Sequence, residues 1–143
     1  MKKKYMTQKD KELLLKDLCA RLPYGVKVQV EYDAEEFGKT IEIDEITMID
    51  KYGEEILLYH ASEYFSIEEL KPYLRPLTSM TDEEIAELTW LSGKCDAIPT
   101  FKYVPVENYR IYDWMNRHHF DYRGLIEKGL ALEAPKDMYD NTK

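Results

Sequence analysis

Leu14, Leu15, Leu18, Cys19 and Leu22 recur at intervals of three and four, which predicts an amphipathic helix with one apolar face. Thr7 stands where an N-cap belongs and Asp10 lies in the first turn, where a negative charge suits the helix dipole. Pro23-Tyr24-Gly25 ends the segment. The period then changes to two. Val26, Val28, Val30 and Tyr32 alternate with Lys27, Gln29 and Glu31, the pattern of a strand with one buried and one wet face. Asp33 to Lys39, with Gly38, reads as a loop. Thr40 to Asp50 reads as a second strand whose apolar positions change phase, Ile41 and Ile43 being odd and Ile46 and Met48 even. A one-residue slip near Asp44–Glu45 accounts for this, so a bulge is expected there, with Ile41 and Ile43 buried and Glu42 and Asp44 solvated. Lys51-Tyr52-Gly53 marks a hairpin turn and Ile56 to Tyr59 a third strand, with Tyr32 and Tyr59 facing the core. Connections this short favour antiparallel pairing.

The second half is more helical. Ser66-Ile67-Glu68-Glu69 is a capping box opening a short helix that Pro72 and Pro76 curtail. Thr81-Asp82-Glu83-Glu84 is a second box, whose helix turns Ile85, Leu88 and Leu91 inward and stops at Gly93. Pro99 to Val106 has the look of an edge strand. Asn108 caps a helix through Tyr112, Met115 and His119, and Asp121 caps one more turn, Tyr122 to Lys128, closed by Gly129. The expected fold is α+β: a twisted antiparallel sheet of three to four strands against an N-terminal helix and several short C-terminal helices. Residues 1–143 form one domain, with flexible ends at 1–6 and 137–143.

Composition sharpens this picture in one respect. The chain of 143 residues carries a formal charge of −8, but the charge is uneven. Glu31 to Glu69 holds 13 acidic residues against Lys39 and Lys51, which is −11, and the remainder is +3. An acidic body disfavours nucleic acid as a ligand. No run of about 18 apolar residues is present, so no membrane contact is expected, and the basic Met1-Lys2-Lys3-Lys4 opening lacks the apolar region of a signal peptide. A cytoplasmic location is the expectation, with Cys19 a buried reduced thiol and no Cys19–Cys95 disulfide.

Candidate chemistry is sparse. Asp113 to Arg123 gathers His118, His119, Asp121, Tyr122 and Arg123. Adjacent histidines on a helix diverge by about 100°, whereas zinc-binding helices use residues four apart, so neither a metal nor a cofactor is expected. Asp113 and Arg117 have the spacing of an ion pair, and His119 that of a helix-end residue meeting the last carbonyls. There is no nucleophile elbow, P-loop or dinucleotide fingerprint. Paired carboxylates such as Glu35-Glu36 and Glu68-Glu69 fall on turns and helix starts, where solvation or the dipole accounts for them.

Leu13 to Val30 (LLLKDLCARLPYGVKVQV), Lys71 to Glu84 (KPYLRPLTSMTDEE) and Phe120 to Tyr139 (FDYRGLIEKGLALEAPKDMY) resemble a family of small uncharacterised proteins of gut anaerobic bacteria and their phages and prophages. The resemblance implies no activity and carries no site residues over; it does imply a phage or mobile-element origin. With 12 tyrosines, a residue enriched at interfaces, it favours a protein-interaction module that binds another protein or itself over an enzyme. Two alternatives follow from the residues. A hydrolase or ligand-binding protein would place Tyr73 and Arg75 against His118, His119, Asp121, Tyr122 and Arg123 around one pocket. An acidic nucleic-acid mimic would align the carboxylates of 31–69 on one face.

Overall fold

The computed structural model describes residues 6–34, 38–50, 52, 55–61, 63–92 and 109–139. The expected edge strand at Pro99 to Val106, the Asn108 cap, the Gly93 helix stop and Cys95 lie outside the described residues. Helix α1 (Gln8–Arg21) is capped by Thr7, whose hydroxyl accepts the Asp10 N–H at 3.0 Å. A single 3-10 turn, Leu22–Tyr24, follows, and Gly25 reverses the chain at φ +71°. That conformation favours glycine, and a Cβ there would also stand 3.1 Å from the Glu45 carboxylate.

Strands β1 (Lys27–Ala34) and β2 (Gly38–Ile49) form a long antiparallel hairpin, and β3 (Ile56–Leu58) and β4 (Tyr64–Phe65) continue it on one side. β5 (Leu70–Leu74) and β6 (Leu132–Glu133) lie on the other, giving the order β4-β3-β2-β1-β5-β6. The class is α+β, with the N-terminal helix and short C-terminal helices expected. The described sheet is larger than expected, six strands, and mixed, because β5 and β6 run parallel.

β5 is the strand that the prolines conceal. The Ser66 box is real, with Ser66 N–H donating to Glu69 Oε1 at 2.8 Å, but it opens one 3-10 turn, Ile67–Glu69, before the chain extends. Pro72 sits opposite Val28, and β6 begins to pair only at Tyr73, so its missing N–H breaks no ladder bond.

The bulge is present, but at Thr47, between the pairs Ile46–Leu58 and Met48–Leu57. It corrects the expected facing of β2. Ile41 and Ile43 are exposed, each 56%, while Asp44 and Ile46 are buried. Asp44 decides the phase. Its carboxylate accepts the Glu45 N–H at 2.7 Å and the His60 N–H at 3.1 Å, donors stranded where β3 runs out. Turning Asp44 outward would orphan them.

The main core lies between α1 and the inner sheet face, Leu14 and Leu18 packing among Val26, Val28, Val30, Ile46, Ile56, Leu58 and Leu70. Each such side chain contributes about 1.5–3 kcal/mol. A second cluster joins α2 (Asp82–Ser92) to α3 (Tyr109–Arg117) through Leu88, Ile111, Trp114, Met115 and Phe120. The Thr81 capping box is complete: Glu84 N–H donates to Thr81 Oγ1 at 3.1 Å and Thr81 N–H to Glu84 Oε1 at 2.9 Å. Among the described residues no helix is long and apolar enough to cross a membrane.

Candidate functional site

β5 runs directly into the C-terminal segment. Arg75 N–H donates to His119 O at 2.7 Å and Asp121 N–H to Arg75 O at 2.8 Å, so the backbone brings Arg75 beside residues 118–123 as expected. The side chains then diverge. Arg75 makes two 2.7 Å hydrogen bonds to the Glu84 carboxylate and lies 4.1 Å from the Phe120 ring centroid. The His118 ring packs tilted against Trp114, with centroids 4.3 Å apart, and places Nδ1 3.7 Å from Glu84. Burial raises the Glu84 carboxyl, but hydrogen bonds from Arg75 and the Thr81 N–H, with the Arg75 and His118 charges, outweigh it and hold the group below its ordinary value. Burial lowers His118, against the pull of Glu84 and Glu87.

Arg123 turns the other way. Its Nε donates to Asp17 at 3.0 Å and its Nη2 to the Tyr122 hydroxyl, which in turn donates to Asn116. Asp121 caps successive turns rather than a helix, its two oxygens accepting the Leu125 and Ile126 N–H groups at 2.9 Å. Tyr73 faces the opposite side of the sheet, within 3.4 Å of Gln29. The seven residues therefore join different networks, and both arginines are committed to carboxylates. None lines the cleft of about 260 Å³ between α1 and Ser66–Glu68, which the Lys11–Glu68 ion pair borders.

A buried ion pair escapes the sequence pattern. Asp17 and Arg21 are fully buried on α1, the guanidinium donating to both Asp17 oxygens at 2.8 and 3.0 Å and to Phe120 O at 2.6 Å. Together with Leu14 and Leu18 they make the i, i+3, i+4, i+7 face. The purely apolar set starting at Leu15 is rotated from it, and Cys19, expected to be buried, is exposed. The available signal was the four-residue spacing of Asp17 and Arg21 beside two leucines.

His119 ends α3. At φ +62° it occupies the left-handed position of a Schellman cap, with its N–H on Asn116 O and the Phe120 N–H on Met115 O. Its backbone, not its ring, meets the last carbonyls. The ring is 3% exposed and stacks on Tyr139 with centroids 3.7 Å apart. Burial, then the Arg21 charge, pushes His119 down to about 3, although a hydrogen bond with the Tyr24 backbone works in the other direction.

Tyr139 completes the sheet. Its hydroxyl accepts the Lys27 N–H at 2.8 Å and donates to Tyr73 O at 2.8 Å, bridging β1 and β5 beyond their last strand pair. Tyr139→Phe leaves both backbone groups without that partner. An expected cost of about 1–3 kcal/mol follows, read by urea denaturation, with faster hydrogen exchange at the Lys27 amide and no change along β3.

The outer face of the sheet gathers Ile41, Ile43, Met48, Tyr59 and Tyr64, most of the exposed large hydrophobic side chains among the described residues. Alternation places Ile41 and Ile43 there. Glu45 N–H and C=O lie beside Tyr59, the paired set Met48, Leu57 and Tyr64 continues the surface, and Tyr59 and Tyr64 are 69% and 52% exposed. Tyr59, expected in the core, thus belongs to the surface. Glu31 and Glu45 share this face, whereas Glu42 and Asp44 point to the other, so the acidic residues do not form one phosphate-like array.

Among the described residues no group of three or more metal-ligating side chains is present. Comparisons with protein-family models, curated proteins and solved structures find no match.

Proposed function

We propose that the chain is a small cytoplasmic protein-interaction module of phage or mobile-element origin, acting through the outer face of its sheet. One observation carries this: Ile41, Ile43, Met48, Tyr59 and Tyr64 remain exposed on a single face while the opposite face is packed. Contiguous exposed apolar surface marks binding sites in soluble proteins, and tyrosines supply contact area at low entropic cost. The origin rests on the resemblance of the α1–β1, Lys71–Glu84 and Phe120–Tyr139 segments. The committed arginines speak against a hydrolase or ligand site, and the divided carboxylates against mimicry.

The test is affinity capture from a bacterial lysate using the full chain and the Tyr59→Ser/Tyr64→Ser variant, both checked for folding by circular dichroism. A protein retained by the wild type and lost from the variant is the expected result. Equal retention by both, or no specific retention by either, removes the outer face as a docking surface.

A further inference from the structure

We propose that the edge of β2 around Ile41 and Ile43 pairs antiparallel with the same edge of a second copy of this chain. The inference rests on the interaction module proposed above and adds, at the edge of the same face, a second copy of the chain as a further partner.

β2 is longer than its neighbours on that side. β1 pairs with it from Gly38 to Glu45, but β3 takes up its other edge only from Ile46. The direction of the free groups follows from two hydrogen bonds. Ile46 N–H donates to Val26 O, toward β1, and Glu45 O accepts from Tyr59 N–H, away from it. Backbone groups alternate along a strand, and the β1–β2 register is unbroken from Gly38 to Glu45. The N–H and C=O of Ile41 and Ile43 therefore point away from β1, on an edge with no strand beside it among the described residues.

Folded proteins normally blunt such edges. Here the terminal strands β4 and β6 are only two residues each. The β2 edge has neither that shortness nor the bulge, which comes later at Thr47. It also carries two half-exposed isoleucines.

The sequence along the edge is self-complementary. Pairing centred on Ile41 sets Ile41 on Ile41, Thr40 beside Glu42 and Lys39 beside Ile43, with no like-charged pair. The Thr40 hydroxyl faces a carboxylate, and the Lys39 ammonium keeps its 2.6 Å partner, Glu31. Centring on Glu42 would oppose two carboxylates directly, which disfavours that register. Gly38 to Ile43 is locally neutral, although the chain carries −8. Two such chains repel at long range, so added salt strengthens a pair of copies, whereas it weakens docking of a basic partner.

Sedimentation equilibrium on the full chain tests this across concentration and salt. The expected result is a dimer that tightens with salt and is lost in Ile41→Pro and Ile41→Lys, with unchanged circular dichroism. Proline there removes an N–H that points away from β1 and has no partner strand among the described residues. If both variants unfold, Ile41→Cys in a Cys19→Ser/Cys95→Ser background decides. A short bis-maleimide should link two copies through position 41, and not through Thr40→Cys. A monomer at every concentration, a dimer that persists in both folded variants, or no crosslink at position 41 overturns the inference. A monomer that still captures a lysate protein through Tyr59 and Tyr64 overturns it while leaving the interaction module standing; a monomer that captures nothing overturns both.

Discussion

Asp17→Ala is expected to lower the unfolding free energy by about 3–5 kcal/mol, because it leaves Arg21 as an uncompensated buried charge. Arg21 is 0% exposed and, among the described residues, keeps only the Phe120 carbonyl as a hydrogen-bond acceptor once Asp17 is gone, its Nη1 having none there already. Arg123 loses its carboxylate as well, although it is partly solvated and can turn outward. Replacing both members of the pair by apolar residues of similar volume, Asp17→Leu with Arg21→Met, should recover most of the loss. Desolvation of the two ions roughly offsets their attraction, so the pair as a whole contributes little net stability. Urea denaturation of the two variants measures both effects. A single substitution costing less than about 1 kcal/mol would show that α1 does not bury this pair.

Acidification produces the second large effect. His119 is neutral and buried in the fold, held down to about 3 against an ordinary 6.5, so the unfolded chain takes up a proton first. The stabilisation is complete above pH 6.5 and is lost as pH falls toward 3, amounting to roughly 2 kcal/mol by pH 5. His118 is lowered in the same sense, and Glu84, also lowered, adds its loss only once carboxylates protonate. His119→Asn tests the assignment. Asn tolerates the left-handed backbone and does not titrate, so the slope between pH 6.5 and 5 should flatten. Equal wild-type stability at pH 7 and pH 5 would contradict a buried neutral imidazole. Tyr139 closes the opposite end of the range: burial raises its hydroxyl, so stability falls once pH passes the ordinary tyrosine value near 10.

The elements legible in the sequence were those with an unbroken period and a chemical stop. α1 and α2 carry their caps and their periodicity together; β1 shows the expected alternation but, with β2, runs on into the expected loop, pairing Asp33 with Lys39 and Ala34 with Gly38. β5 was hidden because Pro72 reads as a breaker; it is harmless only because no neighbour asks for its N–H, a tertiary fact. The facing of β2 is hidden because the pattern of Ile41 and Ile43 points inward while Asp44, on the other face, is the buried residue. Burial there is decided by two backbone donors that need the Asp44 carboxylate, one on the adjacent Glu45 and one on His60, sixteen residues on. The candidate site fared similarly. Arg75 and residues 118–123 do meet, but the two arginines are taken up by Glu84 and Asp17, and no local spacing pairs Arg75 with Glu84 or Arg123 with Asp17. His119 was legible as a helix end, though not as the left-handed residue whose ring is buried.

The bridge made by Tyr139 also bears on the order in which the molecule assembles. Lys27 and the tyrosine that satisfies it are 112 positions apart. On the ribosome, the β1–β2 hairpin and α1 emerge and can form while the β1–β5 seam stays open, and α1 keeps Arg21 without the Phe120 carbonyl. The polar interior is thus sealed from the C-terminal side. Nascent chains halted before Phe120 should present a half-solvated arginine, and those halted before Tyr139 an open Lys27 amide at the end of the β1–β5 seam.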